Sequence, residues 1–231
     1  MTKSPDAGLP SATMNAERDR IIRALGDSFL ARNLAELSAL YDQIEEETAA
    51  FCNEHHVHCA FGCGTCCEHF VPDITPSEAR MVAAYLLLVS KNLSLIDRVQ
   101  QPVSGHCPLY DPATPYHCQV YSARPLICRL FAQCASRAKT GEALFRRCKF
   151  NDQETMPQSL SFPADSGVKT MDDYGMQLRS LSGGEGDDVE DLNVAVTEAL
   201  SAVQMIASYT GALGSDDGHD NDDSTPSPKA S

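Results

Sequence analysis

Ten cysteines occur in this chain of 231 residues, and all of them fall between Cys52 and Cys148. A cysteine set confined to one region belongs to a local device, because global stapling would spread its bridges along the chain. The length suits one domain with tails. The start, Met1-Thr2-Lys3-Ser4-Pro5-Asp6, continues polar through Arg20, without the apolar run a secretory leader needs. The most apolar stretch, Met81 to Val89, is shorter than the roughly 20 residues that span a bilayer. The expectation is a soluble, cytoplasmic chain with no membrane partner. There thiols stay reduced, and clustered cysteines bind metal or do redox work more readily than they form disulfides.

The first cluster reads Cys59-Ala-Phe-Gly-Cys63-Gly-Thr-Cys66-Cys67. Three and two intervening residues let thiolates converge from a tight loop, and Gly62 and Gly64 permit the backbone angles such a loop needs. Glycine amides can also donate to sulfur. Cys66 and Cys67 are adjacent, so their side chains are expected to face different partners, as two metals or two sides of one cluster. The second cluster runs from Cys107-Pro108-Leu109 to Cys118, Tyr121, Arg124, Pro125, Cys128 and Arg129, with Cys134 and Cys148 beyond. Together these give nine candidate ligands: Cys59, Cys63, Cys66, Cys67, Cys107, Cys118, Cys128, Cys134 and Cys148. Eight of them would suit two four-thiolate sites. Cys52, seven residues upstream, reads as a small buried hydrophobe.

Charge supports ligation. The chain carries a formal net charge of −14, which disfavours nucleic acid as a partner. Yet Cys118 to Lys149 holds seven basic residues against Glu142 alone, a net of +6. A divalent ion with four thiolates is net −2 and needs positive neighbours or amide donors in a dry site. Arg124 and Arg129, flanking Cys128, are the candidates to donate to sulfur. Six of the seven histidines lie near the cysteines. His106 and His117 directly precede cysteines and are the alternative ligands; a mixed Cys/His site would favour zinc or mononuclear iron.

The flanks are helical. Ile21, Ile22, Leu25, Phe29, Leu34, Leu37, Leu40, Tyr41, Ile44 and Phe51 recur at three and four from Asn15 to about His56, with Gly26 and Asn33 as candidate break points. Thr75-Pro76-Ser77-Glu78 predicts a capped helix start running to about Ser90, and a short helix is expected over Leu93–Val99. Residues 59–70, 101–118 and 151–168 read as loops. Pro125 suits the first turn of a helix carrying Cys128, and further helices are predicted at Met171–Leu181 and Val189–Tyr209. Strand signals are scarce. The fold class expected is mainly α: a small helical domain with long irregular cysteine-rich segments organised around a metal site. Its divisions are a disordered N-terminus over 1–13, helical 14–58, the cysteine-cluster domain 59–150, helical 151–210, and an acidic disordered tail over 211–231.

The cysteine motifs resemble those of the bacterial YkgJ-type cysteine-cluster family, with its Cys-x-x-Cys-x-x-Cys-Cys signature. The match is carried by Cys59-x3-Cys63-x2-Cys66-Cys67, Cys107-Pro-x-Leu and Cys118-x-x-Tyr121-x-x-Arg124-Pro125-x-x-Cys128-Arg129. The first spacing departs from the family by one residue. The resemblance implies a zinc- or iron-chelating domain over roughly Cys59 to Cys148, with Tyr121, Arg124 and Arg129 around the ligands. Three roles follow: a metal-binding protein with a structural, storage or chaperone-type role, an iron–sulfur redox enzyme or electron carrier, or a metal-stabilised interaction module. No phosphate-cradling Gly-rich loop, Gly-x-Ser-x-Gly or His-Glu-x-x-His is present to support a standard enzyme class.

Overall fold

A computed structural model describes residues 11–59, 63–101, 105–114, 116–151, 155–181 and 188–213. Helix α1 covers Ser11–Ala24 and α2 covers Phe29–His55. Gly26 supplies the left-handed turn between them, at φ 59°. Ser28 then caps α2, its hydroxyl accepting from the Ala31 amide at 3.0 Å. Asn33, a candidate break point, instead lies buried inside α2, because the Gly26 turn and the Ser28 cap have already ended one helix and begun the next. The expected disorder over 1–13 is corrected at its inner end, where residues 11–13 belong to α1. The remainder of that segment and residues 214–231 of the acidic tail lie outside the described residues.

The cysteine region opens with α3, a single turn over Thr65–His69 inside the stretch read as loop. Strand β1, Asp73–Ile74, leads into α4, Pro76–Tyr85. The capping box forms: the Glu78 amide donates to Thr75 Oγ1 at 3.4 Å and the Thr75 amide donates to Glu78 Oε2 at 2.8 Å. The helix continues as a wider π-turn over Leu86–Ser90, and α5 follows at Leu93–Val99. A 3₁₀ turn at Tyr121–Ala123 and the short α6, Leu126–Leu130, carry the second cysteine segment; Pro125 sits at the cap of α6, one place before its first turn.

Strands β2 (Ser136–Arg137), β3 (Ala143–Arg146) and β4 (Ser159–Phe162) form an antiparallel sheet. β4 overturns the loop expected over 151–168: the strands are too short for a period of two to stand out. Helix α7 covers Met171–Arg179. Strand β5, Glu190–Asp191, pairs antiparallel with β1 and feeds α8, Leu192–Tyr209. Among the described residues no helix is long and apolar enough to cross a membrane.

One main core draws on α1, α2, α4, α8 and the cysteine segments together. Ile21, Leu34, Leu37, Met81, Val82, Leu130 and Val203 are all buried in it, each contributing about 1.5–3 kcal/mol by removal from water. Helix α4 makes its most extensive packing against α8. A smaller core of Val57, Ala135, Ala143, Phe145 and Met156 lies under the β2–β4 sheet.

Candidate metal centre

Main-chain contacts bring the two cysteine stretches together. The Cys107 amide donates to the Cys67 carbonyl at 2.8 Å. Tyr110 and Cys118 form an isolated antiparallel bridge, and the Gln119 amide donates to Leu109 O at 3.1 Å. Cys118 is thereby folded back beside Cys107. At the same junction Gly64 meets His117: a Cβ on Gly64 would lie 2.6 Å from His117 Cβ. Only glycine permits that approach. Cys128 is carried by α6, whose first turn is fixed by the Cys128 amide donating to Pro125 O at 3.0 Å.

All ten cysteines are free thiols. Cys66 and Cys67 lie 4.0 Å apart through their sulfurs. The hydrogen bond between them holds Cys66 below the usual thiol range and Cys67 above it. Burial pushes the Cys107 thiol up to about 12, with Cys118 and Cys66 adding to the shift. Burial likewise raises Cys118 and Cys128, the latter also feeling Cys118, Cys107 and Cys66. These five thiols share one electrostatic neighbourhood. A second one adjoins it: burial pushes Cys59 up to about 11, with Cys63, Cys66 and Cys148 as its charged neighbours. Cys63 is exposed.

The flanking cations divide their work. The Arg124 guanidinium lies 4.1 Å over the Tyr121 ring, which also packs on Tyr116, and its charge favours the thiolate of Cys66, Cys118 and Cys128. Its buried Nε has no hydrogen-bond partner. Arg129 is turned the other way. Its Nε donates to Arg124 O at 2.9 Å and one terminal nitrogen to Ser122 O at 2.6 Å; the other pairs with Glu45. Its plane lies 3.8 Å over the Tyr41 ring, and it reaches Cys118 by field alone.

Two cysteines stand apart. Cys134 donates to Ala135 O at 3.4 Å and to Lys169 O at 3.7 Å; its charged neighbours are Cys52, Asp173 and Asp172. Cys52 donates to Gln133 O at 3.7 Å, on the edge of the smaller core. His117 turns its Nδ1 to Asp111 O at 3.3 Å, and His106 is exposed. Several neighbours of the thiols escape sequence reading. The Gln133 side chain hydrogen-bonds Cys59, and Asn151 donates to His58 O at 2.6 Å while its own amide donates to Cys148 O at 2.9 Å. Neither position carries a sequence signal. Tyr41 does sit on the apolar stripe of α2, but nothing in that stripe tells that its buried hydroxyl finishes without a partner near Cys128 and Glu78.

Among the described residues, no three His, Cys, Asp or Glu side chains are gathered around one point. The donor set nevertheless suits a thiophilic cation. Soft sulfur ligands select zinc or iron. The buried thiols raise one another, a repulsion that a cation relieves, and the orphaned Arg124 Nε beside them wants an acceptor that a metal-bound thiolate provides.

Comparison with protein-family models matches residues 58–156 to CxxCxxCC, described as "Putative zinc- or iron-chelating domain". The matched stretch contains every candidate ligand and leaves out α1, α2, α7 and α8. Comparisons with curated proteins and with solved structures give no match.

Proposed function

We propose, from the match of residues 58–156 to the CxxCxxCC zinc- or iron-chelating family model, that the chain is a metal-binding protein of storage or chaperone type. Cys66, Cys67, Cys107, Cys118 and Cys128 would hold zinc or iron, with Cys59, Cys63 and Cys148 completing a second set beside them. The observation that carries the reading is the Cys107–Cys67 main-chain bond, which joins two stretches 40 residues apart in sequence and puts their thiols in one neighbourhood. When bound, the ion supplies a positive charge that lets buried thiols ionise. The chain's own residues do the rest. Arg124 keeps a buried Nε without a hydrogen-bond partner, a donor that a metal-bound thiolate would take, the Tyr121 ring supports that guanidinium, and Gln133 donates to Cys59. Cys63 is exposed and most of the other candidate thiols are only half-buried, which supports exchange over a sealed structural role.

Elemental analysis of anaerobically purified chain tests this. Eight thiolates predict about two zinc ions per chain, or several irons with inorganic sulfide. Cys66→Ser and Cys128→Ser should each lower the content. Under one metal atom per chain, with no loss in either variant, would remove the reading. Colour separates the metals: an iron–sulfur form is brown and absorbs near about 400 nm, and a zinc form is colourless.

A further inference from the structure

The segment between Cys118 and Cys128 is gripped from outside the matched domain. Arg18 of α1 is fully buried. It donates from Nε to Ser38 Oγ at 3.0 Å and from one terminal nitrogen to Ser122 O at 3.1 Å, and it pairs with Asp42 through the other. The carbonyl of Ser122 therefore takes two guanidiniums, Arg18 and Arg129, and both also face Glu45. The Ser122 hydroxyl donates to Glu17, the residue before Arg18. So α1 holds both the carbonyl and the hydroxyl of one residue, four positions after Cys118 and six before Cys128. On the far side Glu78 Oε1 accepts from the Leu126 amide at 2.6 Å. The span between the two cysteines is thus fixed at both ends of its turn by buried charge.

A fully buried arginine is costly unless its fork is satisfied, and hydrophobic residues at this place would pack α1 on α2 as well. The arrangement makes sense as a means of locating a backbone. We propose that Arg18, with Glu17, is a positioning residue for the metal centre. By clamping Ser122 it sets the separation of Cys118 from Cys128, so that the first helix is a working part of the site. This inference rests on the metal-binding reading of the same cysteines.

Cobalt(II) is the probe, because its absorption bands report the geometry and number of thiolate ligands. Full-length wild type, Arg18→Met, Arg18→Lys, Glu17→Gln and, as a control, the exposed Arg20→Met are titrated with cobalt and then with zinc against a chelator. Arg18→Met should weaken zinc about tenfold to a hundredfold, the scale of lost outer-sphere support, and shift the cobalt bands, while circular dichroism shows a folded chain. Arg18→Lys keeps the charge and loses the fork, so it should shift the bands less. Glu17→Gln should move them in the same direction, and Arg20→Met should match wild type. A role in stability alone would lower the melting temperature and leave the spectrum of the folded protein unchanged. That result, unaltered bands and affinity in whichever variants fold, overturns the proposal. So does failure of all three site variants to fold, which would make the network a fold requirement and nothing more. Wild type that binds neither cobalt nor zinc, and carries no iron after anaerobic purification, refutes the metal-binding reading itself, a distinct outcome.

Discussion

Gly64 and His117 meet more closely than any side chain at position 64 would allow, with 2.8 Å from an added Cβ to both His117 Cγ and Cδ2. His117 has little freedom to retreat. Its backbone is left-handed, at φ 54°, and its carbonyl accepts from the Asp111 amide at 2.9 Å. Gly64→Ala is therefore expected to cost about 1–3 kcal/mol in denaturant unfolding of the metal-free chain, the usual cost of overpacking. His117→Gly relieves both the clash and the positive φ, so the double variant should recover most of that loss; if it does not, the contact is not what limits position 64. Glu78 gives a second expectation. It is buried, and burial raises its carboxyl above the usual range even though Thr75 and Leu126 amides hold the charged form. A raised folded value means the native state keeps its proton longer than the unfolded chain does. The stability Glu78 lends is fully present below the unfolded value, about 4.3, and is lost as pH rises through the folded one. Glu78→Gln does not titrate, so its deficit against wild type should narrow from pH 4 toward pH 8 in a series of urea melts. A deficit independent of pH would contradict the shift.

At the level of elements, the amphipathic helices were legible and the short strands were not. Thr75, Pro76 and Glu78 announce the start of α4 because the cap is a local device, complete within four residues. The spacing of Leu34, Leu37, Tyr41 and Ile44 announces the buried face of α2 in the same way. The sheet β2–β4 depends on pairing between residues such as Phe145 and Leu160, which no local pattern encodes. Similarly, the cysteine motifs pointed to ligands, while the main-chain bond that joins them, and the turning of Arg129 toward Glu45, are tertiary facts. Arg18 was half legible: with Met14 and Ile21 on α1 and Leu25 just beyond its end it completes a stripe spaced four, three and four, a place where a charge announces a buried partner. Phe145 anchors the smaller core at 0% exposure, its ring tilted against Phe51 with centroids 5.9 Å apart. Phe145→Ala should cost about 3–5 kcal/mol in global stability. If metal content per folded chain also collapses, the sheet is coupled to the thiols, contrary to its separate core.

For the whole molecule, the matched stretch is enclosed by the rest of the chain. Helix α4 lies within residues 58–156 and packs chiefly on α8, which lies outside; Leu126 and Leu130 share a core with Leu37 and Tyr41 of α2. Cutting out 58–156 would expose those faces, and the remaining apolar burial is small for its length. The isolated fragment is expected to lack a cooperative thermal transition even with zinc present, whereas residues 11–213 should melt sharply; a sharp melt of the fragment would show that the matched domain is autonomous. The Cys107–Cys67 bond has one more consequence. It is made by peptide groups, so serine in place of either sulfur leaves it standing, and the join between the two stretches does not draw on the thiols. Metal uptake would then be the closing of thiols, not yet gathered on one point among the described residues, within stretches already joined: chelation would strip the ion without melting the chain, and uptake and removal could be repeated on the same sample.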